Sequence, residues 1–584
     1  MRRSDRPAIL AILGLFFALH GACVRPKPVL TAATDHASWV EKTLKAMTVE
    51  EKIGQLIACR YTGAFFNDDS EYLANLENLI VQYKIGGLVI FLGDAYETAH
   101  LNNRLQSLSK TPLLIASDFE RGAGNQITGA TLFPTIMALG AADDVDLAFS
   151  MGRITAEEGR AVGVHMTYAP VVDVNINPDN PIINTRAIGE DPEQVGRLAS
   201  AFIKGCQDNG MIATVKHFPG HGDTDQDSHS LLPTIKAGRD RLEKVELFPF
   251  KKALEAGVGA VMVAHLNVPA LDPTPNVPSS LSPAIVGALL RQTMGFKGLV
   301  VTDAMEMGGV TNAFPPNEAA LKAIQAGVDM VLLPLEPTKV IPFLCDAVRT
   351  GGLAESRVDE SVRRILAAKA GLGLHVSKLV DIEALPKKLG SKANLAEAER
   401  IFERGATLVK NNGEVLPLRE ANKNIAVISL SSDPGDYYAG RTFADAVRRR
   451  SPRTQVFYAD SDTGQESLDE AFYKALRSDA VVCAVFSSLR AWKGSVGLDP
   501  KHIDLINNLS GGDKPVIVVN FGSPYLLRNI PDVDAYFCFF RNTAQAQDVA
   551  ARAIFGELDV AGKLPVSIPG LYRIGQGIEL KRIK

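Results

Sequence analysis

Gly298-Leu299-Val300-Val301-Thr302-Asp303-Ala304-Met305-Glu306-Met307 is the stretch on which the fold turns. A short apolar, β-branched run stops abruptly on a carboxylate, and segments of helical periodicity flank it at 283–294 and 317–326. Helix, strand and helix at this spacing are the signature of parallel βαβ units. Worked outward, the same pattern recurs. Strands are predicted at 55–59, 87–91, 113–117, 166–172, 212–217, 260–265, 299–302 and 330–333, with further helices at 146–162, 191–209 and 242–256. Eight strand–helix repeats predict a TIM-type (β/α)8 barrel. In such barrels chemistry sits at the C-terminal ends of the strands. Those ends carry Arg60, Asp118, Asp173, Lys216-His217, His265 and Asp303. Ionisable residues at equivalent ends of several strands are hard to explain as packing.

The stretch 357–371 reads as a basic helix closing the barrel, and 376–395 as a polar, Lys-rich linker. A second alternating region follows, with strands at 424–430, 454–458, 480–486, 515–520 and 535–540 and helices near 441–449 and 544–555. It predicts a smaller α/β doubly wound sandwich domain. The expected division is a signal peptide at 1–22, a tether at 23–36, the barrel at 37–375, the linker at 376–395 and a C-terminal domain at 396–584.

With 46% hydrophobic and 22% charged residues and a net charge of -4, the 584-residue chain has the balance of a globular protein without the basic surface that nucleic acid requires. Arg2, Arg3 and Arg6 precede an apolar run at 8–19, then Gly21, Ala22 and Cys23, which reads as an export signal to the periplasm or cell envelope. A Cys directly after small residues resembles a lipoprotein cleavage site, although His20 stands where an apolar residue is usual. Two readings follow: membrane attachment through a lipidated Cys23, or a plain cleaved signal. The other cysteines, Cys59, Cys206, Cys345, Cys483 and Cys538, show no C-x-x-C spacing and read as buried free thiols.

The densest chemistry lies in Lys216-His217-Phe218-Pro219-Gly220-His221-Gly222-Asp223-Thr224-Asp225-Gln226-Asp227-Ser228-His229. A metal site is disfavoured because Lys216 would repel a cation and no helix sets two His four apart, so neither metal nor cofactor is expected. A dyad is the better reading. Asp227 lies two residues before His229, so a bent loop lets the carboxylate orient the imidazole and raise its basicity. A histidine so held gives and takes protons near neutrality. Asp303, ending a wholly apolar strand, fits a nucleophile for an anomeric carbon, or else a helix cap.

Lys-His-Phe-Pro-Gly-His-Gly-Asp-Thr (216–224) with Asp-Ser-His (227–229), and Val-Thr-Asp-Ala-Met-Glu-Met (301–307), resemble the family 3 glycoside hydrolases, in their β-N-acetylglucosaminidase (β-N-acetylhexosaminidase) branch. Ala169-Pro170-Val171-Val172-Asp173-Val174-Asn175 with Asn184-Thr185-Arg186, and the Gly562-Lys563-Leu564-Pro565 near the end, extend the likeness over both domains. The resemblance implies a retaining mechanism: Asp303 as nucleophile, His229 oriented by Asp227 as acid/base, and Asp118, Arg186, Lys216, His217 and Asp173 around the sugar. It implies a substrate with β-linked GlcNAc, expected in peptidoglycan fragments, and no obligate protein partner. One departure is Asp118-Phe119-Glu120-Arg121-Gly122-Ala123-Gly124, where the family usually has Asp-x-Glu-Gly-Gly-Arg-Val; it bears on the shape of the sugar pocket. A β-GlcNAc phosphorylase, a β-glucosidase of the same family and an inactive, lipid-anchored glycan-binding protein are the alternative readings.

Overall fold

The computed structural model describes residues 34–419, 423–487 and 497–583. The expected signal peptide, Cys23 and all but the last residues of the tether lie outside the described residues. Strands β1 (Ile57–Gly63), β2 (Gly87–Asp94), β3 (Leu114–Ser117), β4 (Met166–Thr167), β5 (Ile212–Phe218), β6 (Ala260–Val263), β7 (Leu299–Thr302) and β8 (Val331–Leu332) pair in parallel, in chain order. β8 returns to β1 through Ile57 with Val331 and Ala58 with Leu332, and a Val301–Met330 bridge ties β7 to the entry of β8. The result is a nearly closed eight-stranded barrel. β3, β6 and β7 are buried along their whole length, as strands sandwiched between a filled interior and a helical shell must be.

Two predicted elements differ, each for a reason of proline chemistry. The helix expected at 242–256 is broken into Arg239–Lys244 and Phe248–Glu255, because Pro249 has no N–H to donate to a preceding turn and sits instead in the first turn of the second helix. The strand expected at 166–172 pairs only over Met166–Thr167; Pro170 removes a donor, and the ladder resumes at a single Val171–Lys216 bridge. The Lys-rich stretch read as a linker is strapped to the barrel: Asn103 exchanges two hydrogen bonds with the Val380 backbone (2.9 and 2.8 Å), and Gly390 N–H donates to buried Glu158 (3.0 Å).

Beyond it, β9 (Thr407–Asn411), β10 (Ile425–Ser431), β11 (Gln455–Ala459), β12 (Ala480–Phe486), β13 (Val516–Asn520) and β14 (Ala535–Cys538) form one sheet in the order β9-β14-β13-β12-β10-β11. All neighbours are parallel except β9, which pairs antiparallel to β14. Alternate residues serve two cores. Ile428, Val481 and Val518 join an apolar cluster continuous with the barrel, while Val427, Val482 and Val519 pack under Phe443 and Ala550 on the other face. The domains meet closely. Gly405 leaves no room for a side chain, since a Cβ there would lie 2.4 Å from the Ala138 carbonyl. Asn175 Nδ2 donates to the Tyr525 hydroxyl (2.8 Å), Thr135 Oγ1 to the Phe540 carbonyl (3.1 Å), and Ser567 N–H to Glu190 (2.8 Å). The described cysteines are all free and buried.

Asp329, fully buried before β8, receives Arg291, Arg364 (3.0 Å) and Ser361 (2.8 Å), and accepts the N–H of Val300 in β7 (3.0 Å). Removing that carboxylate strands buried cations, which costs about 3–5 kcal/mol in comparable pairs. Asp329→Ala is therefore expected to lower unfolding free energy by about that amount in urea titration, with the barrel closure failing first.

Candidate active site

The barrel's C-terminal rim opens into a cavity of about 500 Å3 whose walls include Asp118, Glu120, Arg186, Lys216, His217, His229, Asp303 and Glu306. One side is a lattice of alternating charge. Lys216 Nζ, at the end of β5 and almost wholly buried, donates to Asp118 (2.6 Å) and Glu120 (2.7 Å). Arg186 grips Glu120 with two parallel bonds (2.7 and 3.0 Å) and approaches His217 Nε2 at 3.4 Å. Burial alone would raise Glu120, but Arg186 and Lys216 hold it well below the usual carboxylate range. Burial would likewise lower Lys216, yet Asp118 and Glu120 raise it. The groups stay charged and fixed, which is what recognition of sugar hydroxyls requires.

Asp173, expected among the sugar-binding residues, does not reach this cavity. It is fully buried and spends its oxygens on the His217 ring (Nδ1, 2.6 Å), the His217 N–H (3.2 Å) and the His221 N–H (2.7 Å). It orients His217 from behind; hydroxyls of a bound sugar have no access to it. His221 turns both ring nitrogens onto the loop itself, to Thr224 and Ser228 (2.9 Å each), and burial pushes it down to about 4, so it is neutral scaffolding. Among the described residues no group of three or more His, Cys, Asp or Glu is placed to hold a metal ion.

The residues expected to react, His229 and Asp303, face the cavity from different loops. Asp227 Oδ1 accepts from the ring Nδ1 of His229 (2.7 Å) and from its backbone N–H (2.9 Å). Nδ1 is thus committed to the carboxylate. Asp303 follows β7 and accepts the Ala304 N–H (2.8 Å). Burial alone would raise its pKa, but His217, His265, that N–H and Lys216 overcome this and hold it at about 2. His265 supports this turn from β6, between Ser280 (2.7 Å) and the Ala304 carbonyl (3.0 Å). The loops are mutually braced, since Gly308 and Gly309 N–H donate to the carbonyls of His229 (2.8 Å) and Ser228 (3.2 Å).

Two cavity residues escaped the sequence reading. Glu120 is the hub of the charge lattice, and its only signal was the Asp118-x-Glu120 spacing. Glu306 pairs with Arg60 at the mouth (2.9 Å), and Arg60 in turn lies over the Phe91 ring; nothing in the sequence joins these positions.

An eight-stranded barrel with an anionic carboxylate and a carboxylate-oriented histidine facing one polar cavity has the equipment of a glycosidase. Comparison with known proteins gives the family: residues 48–368 match the glycosyl hydrolase family 3 N terminal domain and residues 406–574 its C-terminal domain, so the chain belongs to glycosyl hydrolase family 3. It is a glycoside hydrolase. It is 29% identical over 560 residues to a beta-N-acetylglucosaminidase/beta-glucosidase of Cellulomonas fimi, covering 91% of this chain and 96% of that one. Among solved structures it resembles a family 3 beta-N-acetylglucosaminidase from Paenibacillus sp. str. FPU-7 (TM-score 0.79, 31% identity, 90% and 99% of the two chains). It also resembles the beta-glucoside phosphorylase BglX bound to 2FGlc (TM-score 0.83, 27% identity, 92% and 98%).

Two outcomes follow. A Cβ on Gly222 would sit 1.7 Å from the Val174 carbonyl, so Gly222→Ala must displace the loop that carries Asp227 and His229. A displacement of about 1 Å costs roughly 100-fold in rate, and kcat of this variant is expected to fall by that order while thermal stability changes little. Because Asp303 stays ionised down to about 2, covalent trapping by an activated fluoroglycoside should hold a constant rate on acidification to about pH 4. A titration of the trapping rate centred near pH 5 would assign the nucleophile elsewhere.

Proposed function

We propose that the protein is a retaining β-N-acetylhexosaminidase that removes terminal β-linked GlcNAc, from peptidoglycan fragments in the cell envelope. The observation that carries this reading is the Asp227–His229 contact opposite an Asp303 kept anionic in the same cavity. In the first step an Asp303 oxygen attacks the anomeric carbon. The bond from that carbon to the leaving oxygen breaks, and the oxygen takes the proton of His229 Nε2. In the second step the neutral ring removes a proton from water, which attacks the same carbon and releases Asp303. Asp227 stabilises the imidazolium that donates this proton in the first step and that the second step regenerates. Asp118, Glu120, Arg186, Lys216 and His217 supply charge-assisted hydrogen bonds to the sugar. The relatives named for N-acetylglucosaminidase activity support GlcNAc as the sugar. Export, and anchoring through a lipidated Cys23, belong to the same proposal and rest on the N-terminal sequence alone.

Phosphorolysis is the second reading. A histidine acid/base is neutral when the acceptor attacks, so it repels phosphate less than a carboxylate base would, and a phosphorylase is among the structural relatives. A β-glucosidase reading draws on the double name of the Cellulomonas fimi relative.

Release of nitrophenol from β-GlcNAc and β-glucose nitrophenyl glycosides separates these. Selectivity for GlcNAc, with losses of at least about 1,000-fold in Asp303→Ala and about 100-fold in His229→Ala, is the expected result. Turnover unaffected by either substitution would overturn the mechanism. A sugar phosphate as the main product in phosphate buffer would replace hydrolysis with phosphorolysis.

A further inference from the structure

Another cavity, of about 540 Å3, opens at the far end of the barrel from the sugar. It forms where the helix Val145–Ala161 runs out ahead of β4, against the turn after the helix Glu355–Gly371 and the strap that follows that turn. Helices of a parallel barrel end where the next strand begins, so this is the end away from the catalytic rim. No residue is common to the walls of the two cavities.

The charge of this cavity is unbalanced at one point. Arg160, half-buried in the last turn of Val145–Ala161, lines it. Its Nη1 is sealed from solvent and has no hydrogen-bond partner among the described residues. Burial alone acts on this guanidinium and pushes it down to about 10, still cationic at neutrality; no carboxylate of the described residues is close enough to oppose that push. The acidic residues of the wall are engaged elsewhere, Glu157 with Arg153 (2.7 Å) and Asp381 with the Glu383 N–H (3.1 Å). Lys388 adds a second cation. The negative end of the helix dipole compensates Arg160 only in part.

A buried cationic donor without an acceptor of the protein's own is costly, and an oxyanion supplies acceptor and countercharge at once. The rest of the wall is apolar, with Leu372, Val376, Leu379 and Val380. Val376 is 82% exposed and Leu379 51%, so the edge of the cavity offers apolar surface that a ligand gains by covering.

We infer that this cavity is a binding site, separate from the catalytic one, for an amphiphile with a phosphate or carboxylate head. The oxyanion pairs with Arg160 and Lys388, and the apolar part lies along Val376 and Leu379. The head belongs either to a phospholipid or to a soluble acidic molecule. Because Asn103 holds the strap to the barrel through Val380, a ligand here fastens the same junction.

The test uses the full chain with Arg160→Gln, the charge-conserving Arg160→Lys, and Leu379→Glu, which sets a carboxylate at the exposed edge. Calorimetry measures binding of hexyl phosphate and of inorganic phosphate. Cosedimentation measures binding to phosphatidylcholine vesicles with and without phosphatidylglycerol. All of these readouts are binding, so they stand whether or not the hexosaminidase reading holds. The wild type is expected to bind hexyl phosphate at least about tenfold more tightly than inorganic phosphate. Arg160→Gln and Leu379→Glu each weaken hexyl phosphate binding about tenfold, and Arg160→Lys retains part of it. Without ligand, Arg160→Gln is at least as stable to heat as the wild type, since it removes an uncompensated buried charge, and hexyl phosphate raises the Tm of the wild type but not of this variant. Binding to the phosphatidylglycerol vesicles alone, lost in Arg160→Gln, assigns the head to a lipid; hexyl phosphate binding without it assigns a soluble ligand. Equal affinity for the two phosphates overturns the apolar half of the site. Absence of hexyl phosphate binding to the wild type, or binding unchanged in Arg160→Gln, overturns the whole.

Discussion

A fully buried carboxylate, that of Asp173, is the point from which both halves of the site hang. By accepting the His217 ring and the backbone N–H groups of His217 and His221, it fixes the sugar-facing imidazole and the first turn of the loop that ends in Asp227 and His229. A buried charge is costly unless it is fully partnered, and here the partners are the functional elements themselves. The arrangement saves degrees of freedom. One immobile anion sets the positions of a binding residue and of the root of the acid/base loop, so the two cannot drift apart independently.

Around that anchor the site separates its charges by task. The carboxylates proposed to bind the sugar, Asp118 and Glu120, are paired with Lys216 and Arg186 and so are unsuited to attack. The carboxylate proposed to attack, Asp303, accepts a backbone N–H from Ala304 and lies near His217, His265 and Lys216, which keep it ionised. In the proposed mechanism acid/base work passes to an imidazole whose orientation is dictated by Asp227. The proposed mechanism thus gives binding, attack and proton transfer to groups whose surroundings differ in a physically sensible way.

The barrel was legible because each of its strands is a compact apolar run stopped by a polar residue, a pattern that Leu299–Thr302 with Asp303 shows most cleanly. The Asp227–His229 contact was legible because its members are two residues apart. What remained hidden depends on long-range contact. β9 is short, its pairing with β14 spans more than a hundred residues of chain, and its Thr-Leu-Val-Lys-Asn run carries little alternation. Asp173 carried the right residue type for sugar binding, and only burial reveals that it faces inward. The Glu306–Arg60 pair joins opposite ends of the barrel sequence, which no local pattern encodes.

The hydrogen bond from Asn175 to Tyr525 has a consequence for how the molecule holds together over time. Asn175 immediately follows Val174, whose carbonyl is the surface against which Gly222 packs, so the floor beneath the acid/base loop is clamped by a hydroxyl from the other domain. With Thr135 and Glu190 also tied across the boundary, hinge motion between the domains would tear at that floor. The second domain, poor in reactive side chains of its own, is thereby a splint. It lengthens the lifetime of the catalytic geometry against thermal fluctuation, and a barrel freed from it would keep every reacting residue yet hold them in register for a smaller fraction of the time.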